Sequence, residues 1–226
     1  MEHNPIIELD LYLIRHGESR GNAGYGRDDL TVKESHDPVL TEKGIAQAQA
    51  AGKHLADIEF DAFYSSGLLR AARTASEIMN GQKEKKELNI LPELTEVGVG
   101  PEYVGAGIEE ILEFCPTARR ADGVENTAPL VCYSSHADEA DVFERAERVV
   151  RYFCEKYKNG EKVVAVSHAA FITFIVFYIM GFKDNMPAFD ISFYNTGITR
   201  IIFYKKGTNK YGDIVFEYIN DTAHLK

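Results

Sequence analysis

The 226-residue chain is 45% hydrophobic and carries 35 acidic against 25 basic residues, a formal charge of −10. That apolar content fills a sizeable core and excludes wholesale disorder, while the acidic balance disfavours nucleic acid and anionic membrane as partners. A small anionic substrate is still open to it, because a few local arginines prevail once distant charge is screened beyond about 8–10 Å.

Cys115, Cys132 and Cys154 form no C-x-x-C pair and no Cys/His ligand spacing, which fits a reducing, cytoplasmic setting. Residues 1–10 hold two Glu, an Asp and a Pro, and do not read as a signal peptide.

The first element is a strand over Leu9–Ile14, a continuous apolar run suited to a sheet covered on both faces. Residues 17–36 are rich in glycine and polar groups and read as a lid. Thr41–Asp57 forms a helix, with Thr41 as its cap and Ile45, Ala48, Gly52 and Leu55 on one stripe. Phe60–Tyr64 is a short strand, Leu68–Met79 an alanine-rich helix, and residues 88–91 an edge strand leading to Glu96.

Residues 97–134 are the least regular part, a second lid insertion with a short helix near Ile108–Phe114. Asp138–Tyr157 is an amphipathic helix with Val142, Ala146, Val149 and Phe153 inward. Val163–Met180 is apolar and long enough to cross a bilayer, but Ser167 and His168 interrupt it. It reads better as a buried strand, a sharp turn and a buried helix of a soluble protein. Residues 191–219 read as three strands, joined at Asn195-Thr196-Gly197 and at a Lys/Gly/Asn-rich turn. Strands alternating with helices predict one α/β domain over residues 1–226. It is a three-layer sandwich with a mostly parallel central sheet and antiparallel edge strands at the C-terminal end.

Ligands of such sheets bind at the carboxyl ends of the strands. There the first strand delivers Arg15-His16-Gly17-Glu18-Ser19 and the later apolar strand delivers Ser167-His168. The strand at Phe60 leads through Ser65-Ser66 to Arg70 and Arg73, and the strand at Ile90 leads to Glu96. Two imidazoles, at least two guanidiniums and a carboxylate thus share one rim. Guanidiniums suit phosphate oxygens. A neutral imidazole can attack phosphorus in line, a protonated one can join the clamp, and a carboxylic acid can protonate the leaving oxygen. Nothing in the pattern demands a metal or another cofactor: there is no H-x-x-x-H, no aspartate cluster and no G-x-x-x-x-G-K-[ST] loop.

The run Leu11-Tyr12-Leu13-Ile14-Arg15-His16-Gly17-Glu18-Ser19 with Asn22 resembles the signature of the histidine phosphatase superfamily, in its phosphoglycerate-mutase-like branch. Three further blocks agree in order. They are Leu40-Thr41-Glu42-Lys43-Gly44 with Gln47 and Ala48, Tyr64-Ser65-Ser66-Gly67-Leu68-Leu69-Arg70-Ala71 with Thr74 and Ala75, and Val164-Ala165-Val166-Ser167-His168. The resemblance implies His16 as a transient phosphohistidine, with Arg15, Arg70 and His168 around the phosphate. Ser19 and Asn22 match phosphate- or substrate-contacting positions. Leu94-Thr95-Glu96 with Gly100 matches the acid/base motif, with Glu93 the nearby substitute. Many relatives have glycine after the second histidine; here Ala169-Ala170 still offers backbone N–H groups, so Ala169 is a candidate phosphate contact.

The expected function is a metal-independent phosphatase acting on small phosphate monoesters. The alternatives are a phosphoglycerate mutase and a non-catalytic protein that binds a phosphorylated ligand. Family mutases carry a longer insertion between the acid and the second histidine, and typically a Trp before the position of Asn22. Here 72 positions separate Glu96 from His168 and the chain has no Trp, which favours hydrolysis. Arg119-Arg120 reads as a solvated turn, or else as a lid that grips a second anionic group. Arg73 reads as a helix-surface residue, and His36, His54 and His136 as surface or packing residues.

Overall fold

The computed structural model describes residues 4–24, 31–103, 106–126, 129–134 and 138–226. His136 and parts of both expected lid segments lie outside the described residues. The strands are β1 (Ile7–Arg15), β2 (Ala62–Ser65), β3 (Leu88–Ile90), β4 (Ala118–Arg120), β5 (Glu161–Ser167), β6 (Ile198–Tyr204) and β7 (Ile214–Asp221). They form a seven-stranded sheet in the order β4-β3-β2-β5-β1-β6-β7. Every pairing from β4 across to β1 is parallel, and β6 and β7 run antiparallel. The helices are α1 (Val32–His36), α2 (Glu42–His54), α3 (Leu69–Asn80), α4 (Ile108–Leu112), α5 (Glu139–Lys156) and α6 (Ala169–Ile179).

Strand residues alternate between two cores because successive side chains point to opposite faces. Leu9, Leu11 and Leu13 of β1 pack with Val163 and Ala165 of β5 under α5 and α6. Tyr12 and Ile14 pack with Val164 and Val166 under α2 and α3. A continuous apolar run is therefore what a doubly covered parallel strand requires. The long apolar stretch breaks as expected at His168, which caps α6. Among the described residues no helix is long and apolar enough to cross a membrane.

Three expectations need correction. Residues 88–90 are not an edge strand, because β4 pairs outside them, Ala118 to Leu88 and Arg120 to Ile90. Arg119-Arg120 is therefore strand, not turn. A three-residue polar strand with one buried side chain, Ala118, has no period to detect; it forms because β3 offers it unpaired backbone groups. Residues 191–194 are not a strand either. The Phe193 carbonyl accepts from Arg15 Nη1 at 2.6 Å, the Tyr194 N–H donates to Asn220 Oδ1 at 2.9 Å, and the Tyr194 carbonyl accepts from the Gly197 N–H at 2.8 Å. Those bonds take the backbone groups a ladder would use.

The segment after β1 is fastened to the start of α2. Thr41 caps that helix by accepting from the Gly44 N–H at 3.0 Å, and its own N–H donates to the Glu18 carbonyl at 2.9 Å. A Cβ on Gly17 would overlap the Gly44 carbonyl, and one on Gly44 would overlap the Glu18 carbonyl. Two glycines thus let the backbones touch where the chain leaves the sheet. Gly44→Ala meets backbone, not a yielding side chain, so it should cost about 1–3 kcal/mol of stability. Urea denaturation checks this, and an unchanged midpoint would contradict the close approach.

Candidate functional site

His16 and His168 each follow directly on a strand, and the β1–β5 register pairs Arg15 with Ser167. The His16 N–H donates to the Ser167 carbonyl at 3.0 Å, and the Ser66 N–H donates to the Val166 carbonyl at 3.1 Å. Both bonds carry the ladder one step past the strand ends. The two imidazoles consequently lie side by side, ring centroids 5.1 Å apart, at 3% and 0% exposure.

The His16 ring has a defined tautomer. Its Nδ1 lies 2.7 Å from the Gly17 carbonyl oxygen, which can only accept, so Nδ1 carries the hydrogen. Burial first, then the Arg70 and Arg15 guanidiniums, hold its pKa well below the ordinary histidine value. A neutral ring protonated at Nδ1 leaves a lone pair on Nε2. The Gly17 N–H donates to Thr74 Oγ1 at 3.0 Å, and Thr74 Oγ1 donates to the Arg70 carbonyl at 2.7 Å. The loop is thereby tied to the first turn of α3.

Two guanidiniums face the imidazoles. Arg15 is held by the Phe193 carbonyl, and its Nε is buried without a partner. Arg70 Nη1 donates to Asp37 Oδ1 at 3.2 Å. The Asp37 side chain is fully buried and also accepts from the Leu69 N–H at 2.8 Å and the Tyr103 hydroxyl at 3.0 Å. Burial raises its pKa and Arg70 opposes the rise. His168 Nε2 sits 2.7 Å from Ser66 Oγ, while its Nδ1 is buried and unpartnered. Burial, then the surrounding Arg70, His16, Arg145 and Arg15, hold its pKa well below the ordinary value. Buried polar atoms without partners cost about 1–3 kcal/mol each, so an anion that bonds the Arg15 and His168 atoms recovers that loss.

Glu96 reaches the same rim: burial lowers the pKa of Arg15, and the Glu96 carboxylate opposes that shift. Oε1 accepts from the Val97 and Phe171 N–H groups at 2.9 and 3.0 Å, and Oε2 has only a long 3.4 Å contact from the Ala170 N–H. The α6 N-terminus therefore holds the Glu96 carboxylate, and Ala169 lies beside it as the first helical residue. Glu93 lines a different cavity, with Asp122, Arg148 and Tyr152. Ser19 is buried. Its N–H and Oγ donate to Asn22 Oδ1 at 3.3 and 3.2 Å, which leaves the amide group of Asn22 as its donor toward an anion.

Arg73 stays outside, paired with Glu77 at 2.7 Å and lying over Phe114. Arg119 is half-buried and paired with Glu87 and Asp122, and β3, β2 and β5 separate its strand from β1. His36 stacks on Tyr103 and His54 lies against His224.

Asp37, Ser66, Asn195 and Arg145 are site-shaping residues to which the sequence reading gives no role at the site, although Ser66 lies in a matched block and Asn195 in a turn. Asn195 Nδ2 donates to the His16 carbonyl at 3.0 Å and to Asn22 Oδ1 at 3.2 Å. Arg145 is fully buried. It donates to the Thr95 and Glu93 carbonyls at 2.7 and 3.2 Å and lies 3.8 Å from the centroid of the Phe171 ring. For Arg145, an arginine beside the inward stripe of an amphipathic helix is the legible signal.

Residues 11–211 match the family model of the histidine phosphatase superfamily, branch 1, and the chain belongs to that superfamily. Over 120 residues it is 36% identical to fructose-2,6-bisphosphatase TIGAR of Xenopus laevis, covering 52% of this chain and 41% of that protein. Over 98 residues it is 41% identical to a 2,3-bisphosphoglycerate-dependent phosphoglycerate mutase of Bartonella henselae, covering 42% of this chain and 45% of that protein. The matched segment thus spans less than half the length of either relative. The crystal structure of phosphoserine phosphatase from Entamoeba histolytica in complex with 3-phosphoglyceric acid superimposes with a TM-score of 0.64 at 25% identity. That match covers 96% of this chain and all of that one.

The two histidines make stability depend on pH. The unfolded chain takes up protons at histidine near pH 6.5, while the folded His16 and His168 stay neutral lower down. Stability is therefore full above about pH 6.5 and falls as pH drops below it, by at most about 1.4 kcal/mol per pH unit for each ring. Urea midpoints between pH 7.5 and 5.5 should show that fall, and His168→Asn should reduce it. A flat wild-type profile would contradict the burial of two neutral rings.

Proposed function

We propose that this histidine phosphatase superfamily member is a metal-independent phosphatase that hydrolyses small phosphate monoesters through a phosphohistidine at His16. The observation that carries the reading is the 2.7 Å bond from His16 Nδ1 to the Gly17 carbonyl. It presents an unprotonated Nε2 beside two guanidiniums and a second imidazole. In the first step the Nε2 lone pair forms the N–P bond and the ester P–O bond breaks. Arg15, Arg70 and the His168 Nδ1–H, with the Asn22 amide, stabilise the charge on the transferring oxygens. Glu96 gives its proton to the leaving oxygen. In the second step Glu96 takes a proton from water, the resulting hydroxide attacks phosphorus, and the N–P electron pair returns to Nε2. Oε2 is the oxygen suited to that proton, because Oε1 already accepts two N–H bonds.

Relatives of both kinds, a fructose-2,6-bisphosphatase and a phosphoglycerate mutase, match the chain. Hydrolysis is favoured over transfer because a mutase must retain a doubly anionic intermediate. Of the pair weighed as a grip for a second anion, Arg119 is spent on Glu87 and Asp122.

Brief incubation with a 32P-labelled phosphoester, quenched without acid, should leave an acid-labile, base-stable label on His16. EDTA should not abolish turnover, since guanidiniums supply the charge neutralisation. A label that persists in His16→Ala would contradict the assignment.

Glu96→Gln should discriminate between leaving groups. A positioned acid contributes roughly 10²–10⁴-fold, needed for an alkoxide and scarcely for p-nitrophenolate. The variant should lose far more rate on alkyl phosphates than on p-nitrophenyl phosphate, and accumulate phosphoenzyme from the latter. Equal losses without accumulation would reduce Glu96 to shaping the pocket.

A further inference from the structure

Beside the phosphate cradle lies a cavity of about 550 Å³, within the range of small-molecule sites. Arg15 and Ala170 are among its lining residues. Arg15 belongs to the cradle, and the Ala170 N–H contacts Oε2 of Glu96, the atom assigned to the leaving oxygen. The cavity thus borders the cradle at Arg15 and the Glu96 contact at Ala170.

The walls are largely apolar, with Phe174 on α6, then Met186, Ile191 and Phe193 on the segment leading to β6, and Ser192 among them. They are held in place before any ligand arrives. Phe174 packs edge-to-face on Phe143 with ring centroids 4.9 Å apart. The Met186 N–H donates to Glu139 Oε2 at 2.8 Å, and the Phe193 carbonyl is fastened by Arg15. Tyr194 stands at the mouth, 64% exposed. Thr173 Oγ1 is spent on the Ala169 carbonyl. Beyond Arg15, the charged group among the lining residues is Asp190, an acid.

We propose that this cavity binds the alcohol part of the substrate, and that the substrate class is a monophosphate ester of a largely apolar alcohol. Among the described lining residues, a second phosphate or a carboxylate on the alcohol would meet no cation beyond Arg15, which the transferring phosphate occupies, and would be repelled by Asp190. The proposal rests on the phosphatase reading above and adds the choice of leaving group to it.

A series of n-alkyl monophosphates from ethyl to hexyl keeps leaving-group basicity nearly constant while apolar length grows. With the purified full chain, kcat/KM should rise with length, up to about fourfold per buried methylene. Hexyl phosphate should exceed 5-carboxypentyl phosphate at least tenfold. Ile191→Lys should flatten the length dependence, and Asp190→Lys should raise the rate on the carboxylated ester. A flat wild-type series with measurable turnover, or a slope that neither variant changes, overturns the cavity assignment and leaves the phosphatase reading standing. No phosphate release from any ester, p-nitrophenyl phosphate included, overturns that reading and this inference with it.

Discussion

The parallel pairing of β1 with β5 is the contact on which the site depends. His16 and His168 meet only because Arg15 pairs with Ser167. Leu9, Leu11 and Leu13 enter one core while Tyr12 and Ile14 enter the other, so a slip of one residue would exchange every side chain between unlike surroundings. The burial energy of the strand therefore sets the position of the nucleophile. An imidazole pair placed by two packed strands is held more firmly than one carried on loops.

The electrostatics follow from that burial. Arg15, Arg70 and Arg145 converge on two imidazoles, and the facing acids are Asp37 and Glu96, each already bonded to backbone N–H groups. The formal charge of −10 on the chain does not decide the local sign, because surface charge is screened while buried charge is not. The result is a small region short of anions in an acidic protein. It suits a phosphate dianion, and burial with the guanidiniums holds both histidine pKa values low.

Much of this was legible because it rests on strong periodicity. The doubly buried runs of β1 and β5, the Thr41 cap and the stripe of α5 follow from side-chain spacing alone, and the motif residues fall just past the strand ends. The misses have a common cause. β4 forms by completing the edge of β3, and residues 191–194 are diverted by the Arg15 and Asn220 side chains, so neither outcome is encoded in local pattern. Asp37 bonds a residue 33 positions away and Ser66 one 102 positions away, pairings that one chain without its fold does not reveal even where, as for Ser66, the residue lies in a matched block.

The antiparallel end of the sheet also serves the site. β1 continues through Arg15 on its β5 side, but on the other side β6 begins only at Ile198, which leaves the Arg15 and His16 carbonyls without a strand partner. The turn before β6 fills the gap. The Thr196 N–H donates to the Arg15 carbonyl at 3.0 Å, and the Asn195 side chain donates to the His16 carbonyl. Thr196 adopts a φ of 55° to do so, a conformation that costs a branched residue of order 1–3 kcal/mol. Its hydroxyl lies 2.9 Å from His224 Nε2, so the segment after β7 helps hold the strained turn. The nucleophile is thus braced from both flanks, by a ladder on one side and by a turn built for the purpose on the other.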